Sequence, residues 1–311
     1  MRKFAALALG LVLVPALCAQ PAAAPISVVD DSGHTITLAK PPQRVITLGP
    51  HLAEQAFALG AGPQVVGVSR FSDVPAEARQ RPIVGDAVAI AHEAIAKLKP
   101  DLVLVWRTGF PDRARAPLQT LGVPVFESEI RSVADLAGSL RRLGQLLGHA
   151  EAGEQQARLV EQQWARLQAD YAARKPVRVF YQLWHQPLMT INHEHLIDQA
   201  ITACGGRNVF AELPALTPTV SWEAAVQRNP QVIAMAGAPS DHPELGQWPR
   251  FPAVEAVKQQ RYALIDGDLI GRMGPRFVQG AQRLCEAIDM ARHGAPGGGV
   301  PPPPSERVRG R

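Results

Sequence analysis

Read for its alternation of apolar and polar positions, the chain falls into two halves built on one plan. In the first, Arg44 to Leu48, Val65 to Val68, Leu102 to Trp106 and Val123 to Phe126 are short β-rich runs with almost no polar interruption. Strands covered on both faces, as in parallel sheets, read this way, whereas a half-exposed strand would alternate. Helical stretches lie between them, from Leu52 to Leu59 and from Ala87 to Leu98. The second half repeats the scheme, with Arg178 to Leu183, Val232 to Met235 and Tyr262 to Ile265 as strands. Its helices are predicted over Gln199 to Cys204, Trp222 to Arg228 and Pro275 to Arg292.

Between the halves, Ala150 to Lys175 contains no proline and a single glycine, Gly153, among Ala, Glu, Gln, Arg and Leu. Strong helix formers without a breaker predict one helix of more than ~20 residues, roughly 33 Å long at 1.5 Å per residue. At the midpoint of two similar halves it reads as a stiff spine rather than a surface helix of one domain. The predicted fold is α/β: two Rossmann-like lobes, 26–147 and 176–293, each a mainly parallel sheet flanked by helices, joined by one long backbone helix over 148–175.

The ends differ from this body. Residues 1–19 have a basic start (Arg2, Lys3), an apolar run from Phe4 to Leu17 and small residues near Cys18 and Ala19. That is the layout of a secretory signal peptide, with cleavage expected after Ala19. A lipidated Cys18 is the alternative, although Pro15-Ala16-Leu17 matches a lipobox poorly. The apolar run is shorter than the ~20 residues that spanning a bilayer requires. Residues 294–311, rich in Pro and Gly, offer no packed pattern and are expected to form a disordered tail.

Charge follows the same division. The chain is formally +4, but Arg2 and Lys3 leave with the signal and the tail carries three Arg against one Glu. The body is then near neutral, which removes the nucleic-acid reading that a basic chain invites. Without Cys18, Cys204 and Cys285 remain in a compartment that permits disulfides. Their spacing alone leaves a bridge and two buried thiols equally open.

No G-x-S-x-G, H-E-x-x-H, C-x-x-C or Walker A pattern is present, and Gly60-Ala-Gly62 lacks the third glycine of a dinucleotide loop. His193 and His195, with His185 and Asp198 nearby, form a candidate zinc or iron site, and hence the alternative of a periplasmic metal-dependent enzyme. His51 follows the first strand, where open α/β folds place their ligands. Aromatics are only 5% of the chain, yet Trp106 and Trp184 stand at strand ends and Phe71 a short step beyond one. A flat or corrugated organic ligand would be held there by stacking and apolar contact.

The halves also share a smaller repeat. Glu93-Ala94 and Glu223-Ala224 each open a helix that ends at a proline, Pro100 or Pro230, and feeds a buried strand. The helix dipole alone favours a carboxylate there. Equivalent placement in both lobes nevertheless sets up two matched carboxylates that a partner with two-fold symmetry could grip.

The order of these segments resembles the helical-backbone class (class III) of ABC-importer substrate-binding proteins, and within it the periplasmic cobalamin-binding members. The resemblance runs from Pro42 to Leu48 through Ala58 to Gly60, Val66 to Ser69, Phe71 to Asp73, Glu93, Leu98 to Val103 and Trp106-Arg107. It continues through Ala203 to Phe210, Val220 to Glu223, Gly267-Asp268, Arg272, Pro275-Arg276 and Leu284-Cys285. It implies capture of cobalamin or a related corrinoid as ligand, with no cofactor and no catalysis, and delivery by a monomer to a membrane permease. It further implies a Cys204–Cys285 disulfide, docking through Glu93 and Glu223, and a cleft lined by Phe71, Trp106, Trp184, Asp268 and Arg272, to which His51 is added. Two stacking walls of the family are missing, with Asp86 or Ala87 in one place and Thr217 in the other. Haem-binding relatives typically use a tyrosine, but Tyr171, Tyr181 and Tyr262 all fall within predicted elements, so haem and ferric siderophores are the second reading.

Overall fold

The structure is a computed structural model that describes residues 24–86, 88–110, 118, 120–237 and 243–294. The predicted export signal, Cys18, Ala87 and the tail beyond Gly294 lie outside them. A hairpin of β1 (Ile26–Val29) and β2 (Thr35–Leu38) precedes the first lobe. That lobe holds β3 (Val45–Leu48), α1 (Pro50–Ala58), β4 (Val65–Ser69), β5 (Ile83–Gly85), α2 (His92–Leu98), β6 (Leu102–Trp106), β7 (Val125–Ser128) and α3 (Val133–Leu147). Its five strands pair in the order β5-β4-β3-β6-β7, all parallel. Every residue of β3 is buried, as its unbroken apolar run requires. Helix α2 begins later than its sequence suggests, because Asp86 Oδ1 accepts from the Val88 and Ala89 N–H groups and turns the chain first.

The spine α4 (Ala150–Tyr171) is one helix of 22 residues. It packs antiparallel against α3, and the two backbones meet at Gly144 and Gly153. A Cβ on Gly153 would stand 2.7 Å from the Leu140 carbonyl oxygen and 3.0 Å from Gly144 Cα. The one glycine of the spine is therefore a contact point rather than a flaw in the helix.

The second lobe has β8 (Val177–Tyr181), β9 (Trp184–His185), β10 (Leu188–Met189), α5 (Leu196–Ala203), β11 (Gly206–Asn208), α6 (Trp222–Gln227), β12 (Val232–Ala236), α7 (Glu255–Lys258), β13 (Tyr262–Ile265), α8 (Gly267–Ile270) and α9 (Phe277–Arg292). Its parallel sheet runs β11-β8-β12-β13, with β9 and β10 as a small hairpin to one side. Cys204 at the end of α5 is bonded to Cys285 in α9, 81 residues later. Closing a loop of that size in the unfolded chain is worth about 4 to 5 kcal/mol in the chain-entropy model.

The repeat between the lobes extends to backbone detail. Lys99 and Asn229 each take a left-handed φ of 44° immediately before the buried Pro100 and Pro230. Asp101 and Gln231, the residues after those prolines, each donate their N–H to an arginine carbonyl, that of Arg44 or Arg178. Each also accepts that arginine's N–H through its side chain, at 2.8 and 3.0 Å.

Direct contacts join the lobes. Glu54 of α1 accepts from both Nε and an NH2 of Arg276 at 2.9 Å. Gln55 Nε2 donates to the Met273 carbonyl at 3.0 Å, while its Oε1 accepts from Ser139 Oγ at 2.9 Å. Arg131 pairs with Glu194 at 3.3 Å, and the Val133 N–H donates to Gln199 Oε1 at 3.0 Å.

Candidate functional site

In the first sheet the strand order reverses between β3 and β6; in the second it reverses between β8 and β12. Loops leave the carboxyl ends of such neighbours in opposite directions and open a crevice there. A cavity of about 380 Å³ lies between the two switch points, walled by Trp106 at the end of β6, Tyr181 at the end of β8 and Ala236 at the end of β12. Glu129, Ile130 and Arg131 after β7 close it from the first lobe, and Leu183, His195 to Ile197, Leu216, Thr217 and Met273 close it from the second. Most of the wall is apolar, with a few polar groups among it, as organic-ligand sites usually are.

Trp106 holds its place by lying against backbone. A Cβ on Gly109 would fall 1.9 Å from the indole Cε3, so only glycine leaves room for the ring. Behind it, His51 meets the indole edge-on with 5.4 Å between ring centroids. His51 lies in the first turn of α1, not in a loop, and is only 2% exposed. Burial pushes its imidazole down to about 3, so the ring is neutral. It supports Trp106 from the rear, and Trp106 would have to swing aside before a ligand could touch it.

The other predicted ligand residues are placed differently. Trp184 is 56% exposed, stacks on His185 and donates to the Gln186 carbonyl at 3.2 Å. Its neighbour Leu183 faces the cavity instead. Side chains alternate along extended chain: Tyr181 and Leu183 point one way, while Gln182 points the other and accepts from Trp248 Nε1 at 3.0 Å. Phe71 is 71% exposed and left-handed, with φ 67°. Two residues on, Asp73 pairs with Arg272 of the second lobe at 2.7 Å, and Arg272 also pairs with Asp268 at 2.6 Å. Arg272 lies between Gly271 and Met273, both of which line the cavity, so this cluster sits at its edge. Burial pulls the Asp73 carboxyl up, but its hydrogen bond to Arg272 and that charge outweigh the effect and hold it below the usual range.

Tyr181, read from sequence as a strand residue away from the cleft, lines it. Burial raises its phenol, so the neutral form is strongly favoured. The candidate metal site does not assemble. His193 is exposed with Nδ1 against the Ala211 carbonyl, His195 caps α5, and Asp198 accepts from Asn208. Among the described residues no group of three His, Cys, Asp or Glu side chains could hold a metal ion. Among them, too, no helix is long and apolar enough to cross a membrane.

Glu93 and Glu223 are both exposed, in the first turns of α2 and α6, and residues 91–95 and 221–225 repeat the same sequence of exposed and buried positions. Glu223's own N–H, and then Ser221, hold its carboxyl below the usual range.

The residues that sequence reading missed are Tyr181, Leu183, Glu129, Arg131 and His195. The period-2 alternation after β8 could have found the first two. His195 stands out in the sequence only as a possible metal ligand, and nothing local marks Glu129 and Arg131; all three reach the cavity through the way the two lobes face each other.

The chain is similar over most of its length to known binding proteins. The vitamin B12-binding protein of Pectobacterium carotovorum subsp. carotovorum (strain PC1) is 34% identical over 260 residues, 82% of this chain and 91% of that protein. The crystal structure of the periplasmic vitamin B12 binding protein BtuF of Vibrio cholerae superposes with a TM-score of 0.74 at 31% identity, covering 81% of this chain and 98% of that one. A periplasmic haem-binding protein, BhuT in complex with two haems, superposes with a TM-score of 0.72 at 26% identity, covering 81% and 99%. Two parallel-sheet lobes on one long helix, a cavity at their paired switch points and a match to the periplasmic binding protein model over residues 45–269 together place the chain in the periplasmic binding protein family.

Proposed function

We propose that the protein captures cobalamin or a related corrinoid in the cleft between its lobes and delivers it to the permease of an ABC importer. The cavity carries this reading: it lies between the two switch points, with Trp106 on one wall and Tyr181 and Leu183 on the other, and such a site holds a corrugated organic ligand by apolar contact from both faces. The similarity to vitamin B12-binding proteins supports the choice of ligand. Haem is the second reading, favoured by the haem-binding relative and by Tyr181 in the cavity wall. The raised phenol of Tyr181 weighs against it, because a tyrosine binds iron as the phenolate.

In this reading residues 1–19 direct export to the periplasm, 26–147 and 176–293 are the capturing lobes, and 148–175 is the spine between them. Phe71, Asp268 and Arg272 meet the ligand at the cleft edge. Glu93 and Glu223 dock the two lobes onto the two halves of the permease, a role supported by their matched exposure on related helices. The protein works as a monomer.

Calorimetric titration of the purified protein with cobalamin, haem and a ferric siderophore tests the assignment. Saturable binding of cobalamin at one site, tighter than that of the other two, is the expected result. Preference for haem or for the siderophore would replace the corrinoid.

A further inference from the structure

His195 occupies the position just before α5, and its Nδ1 accepts the Ile197 N–H at 3.1 Å. A ring nitrogen that accepts carries no proton, so in the neutral imidazole the proton sits on Nε2. Burial, and next the charge of Arg131, push this imidazole down to about 4, so the neutral ring is the working form. His195 lines the cavity. It can therefore offer a donor to a ligand but no lone pair to a metal, unless the cap of α5 is broken.

Glu129 stands in the same cavity from the other lobe. Its Oε2 accepts from the Thr108 N–H and its Oε1 from Thr108 Oγ1, each at 3.2 Å, and Arg131 Nε lies 3.4 Å from Oε1. A carboxylate has about four acceptor sites, so one is left over. Arg131 is shared with Glu194 at 3.3 Å. Two carboxylates against one guanidinium leave this side of the cavity negative, which repels an anionic group and suits a neutral one that also donates.

We propose that His195 and Glu129 form a carboxamide-selective subsite, in which His195 Nε2–H donates to an amide oxygen and Glu129 accepts from the amide NH2. The inference rests on the corrinoid reading and deepens it. A corrin ring carries acetamide and propionamide arms, whereas haem carries carboxylates, so the subsite would select the first periphery against the second. Because the two residues belong to opposite lobes, one amide arm would tie the lobes together.

The test compares the affinity of the full chain for cobinamide and for a corrinoid whose ring amides have been hydrolysed to carboxylates. The parent should prefer the amide form by about tenfold or more, the size of one hydrogen bond involving a charged group. Glu129→Gln should shrink that preference by improving binding of the acid form. His195→Asn keeps a side chain able to cap the helix but lacks the reach of Nε2–H, and should weaken cobinamide by about fivefold or more. Equal affinity of the parent for both ligands, a preference unmoved by Glu129→Gln, or full affinity in His195→Asn would each overturn the subsite. A parent that binds neither corrinoid would instead defeat the proposed function. In that case the nitrogen-15 spectrum of His195 still decides its part: a proton on Nε2 supports the donor assignment and a proton on Nδ1 overturns it.

Discussion

Asp73 of the first lobe and Arg272 of the second meet at 2.7 Å beside the cleft. The cavity behind them, about 380 Å³, is near the lower end of the ~300–1,000 Å³ that drug-sized ligands occupy, and a corrinoid is larger than those. Admitting the whole macrocycle requires the lobes to part, and this ion pair opposes that. Asp73 is 37% exposed, so the pair contributes no more than about 1 kcal/mol. Asp73→Asn should therefore raise the apparent affinity for cobalamin by roughly two- to fivefold, mainly through faster association. Stopped-flow fluorescence measures this directly, and a slower association would show that Asp73 guides the ligand instead of barring it.

The contrast between two tryptophans checks the wall of the cleft. Trp106 lines the cavity and Trp184 points to solvent. Trp106→Ala should weaken ligand binding by about 2 kcal/mol, near thirtyfold, from lost apolar contact. Trp184→Ala should change it by less than about twofold, the scale of a surface substitution, while Leu183→Ala should weaken it. Equal losses at positions 106 and 184 would require the cleft to extend over the β9–β10 hairpin.

Docking can be separated from capture. Reversing Glu93 and Glu223 to Arg removes two exposed carboxylates and disturbs no buried group. The double variant should bind ligand and unfold as the parent does, yet support no ligand-dependent uptake in cells. Normal uptake by that variant would leave the two glutamates only their favourable place at helix starts.

Buried histidines make the fold sensitive to acid. His51 and His195 titrate near 3 and 4 in the folded protein, against 6.5 when unfolded. Between those values the unfolded chain binds the protons and the folded one does not. The contribution of these two rings should therefore be constant above about pH 7, and stability should fall as the pH drops from about 6.5 towards 4, by up to ~1.4 kcal/mol per pH unit for each histidine. Urea midpoints across that range, with His51→Gln as comparison, measure the slope. A flat profile would mean that both rings take up protons in the fold as readily as in the unfolded chain.

The lobes, the spine and the matched glutamates were legible in the sequence because each leaves a local mark. β3 and β6 are unbroken apolar runs, α4 lacks breakers, and Glu93 and Glu223 repeat a spacing. Helix α3, the β1–β2 hairpin and the short strands β5, β9 and β11 went unread. Strands of two to four residues give periodicity too little length to act on, whereas α3 carries a local start signal in Ser132, whose side chain accepts the Asp135 N–H. The cleft was only partly visible. Trp106 ends a recognisable strand; the strand-end position of Trp184 and the family resemblance point it inward, but the alternation past β8 turns it outward. His195 and Arg131 meet only in three dimensions.

The contact between Gly144 and Gly153 has a mechanical consequence. Helices that touch backbone to backbone cannot slide or bend independently, so α3 and α4 act as one beam. Rotation of the second lobe about that beam would turn the short run between Tyr171 and Val177, where α4 ends and β8 begins. That pivot is held from the second lobe, since Arg292 Nε at the end of α9 donates to the Lys175 carbonyl at 2.7 Å, and the disulfide fastens α9 to α5. About 5° of turning there would move a point one spine length away by roughly 3 Å, taking 1.5 Å of rise per residue. The spine is thus a lever, and the ion pairs between the lobes are its stops.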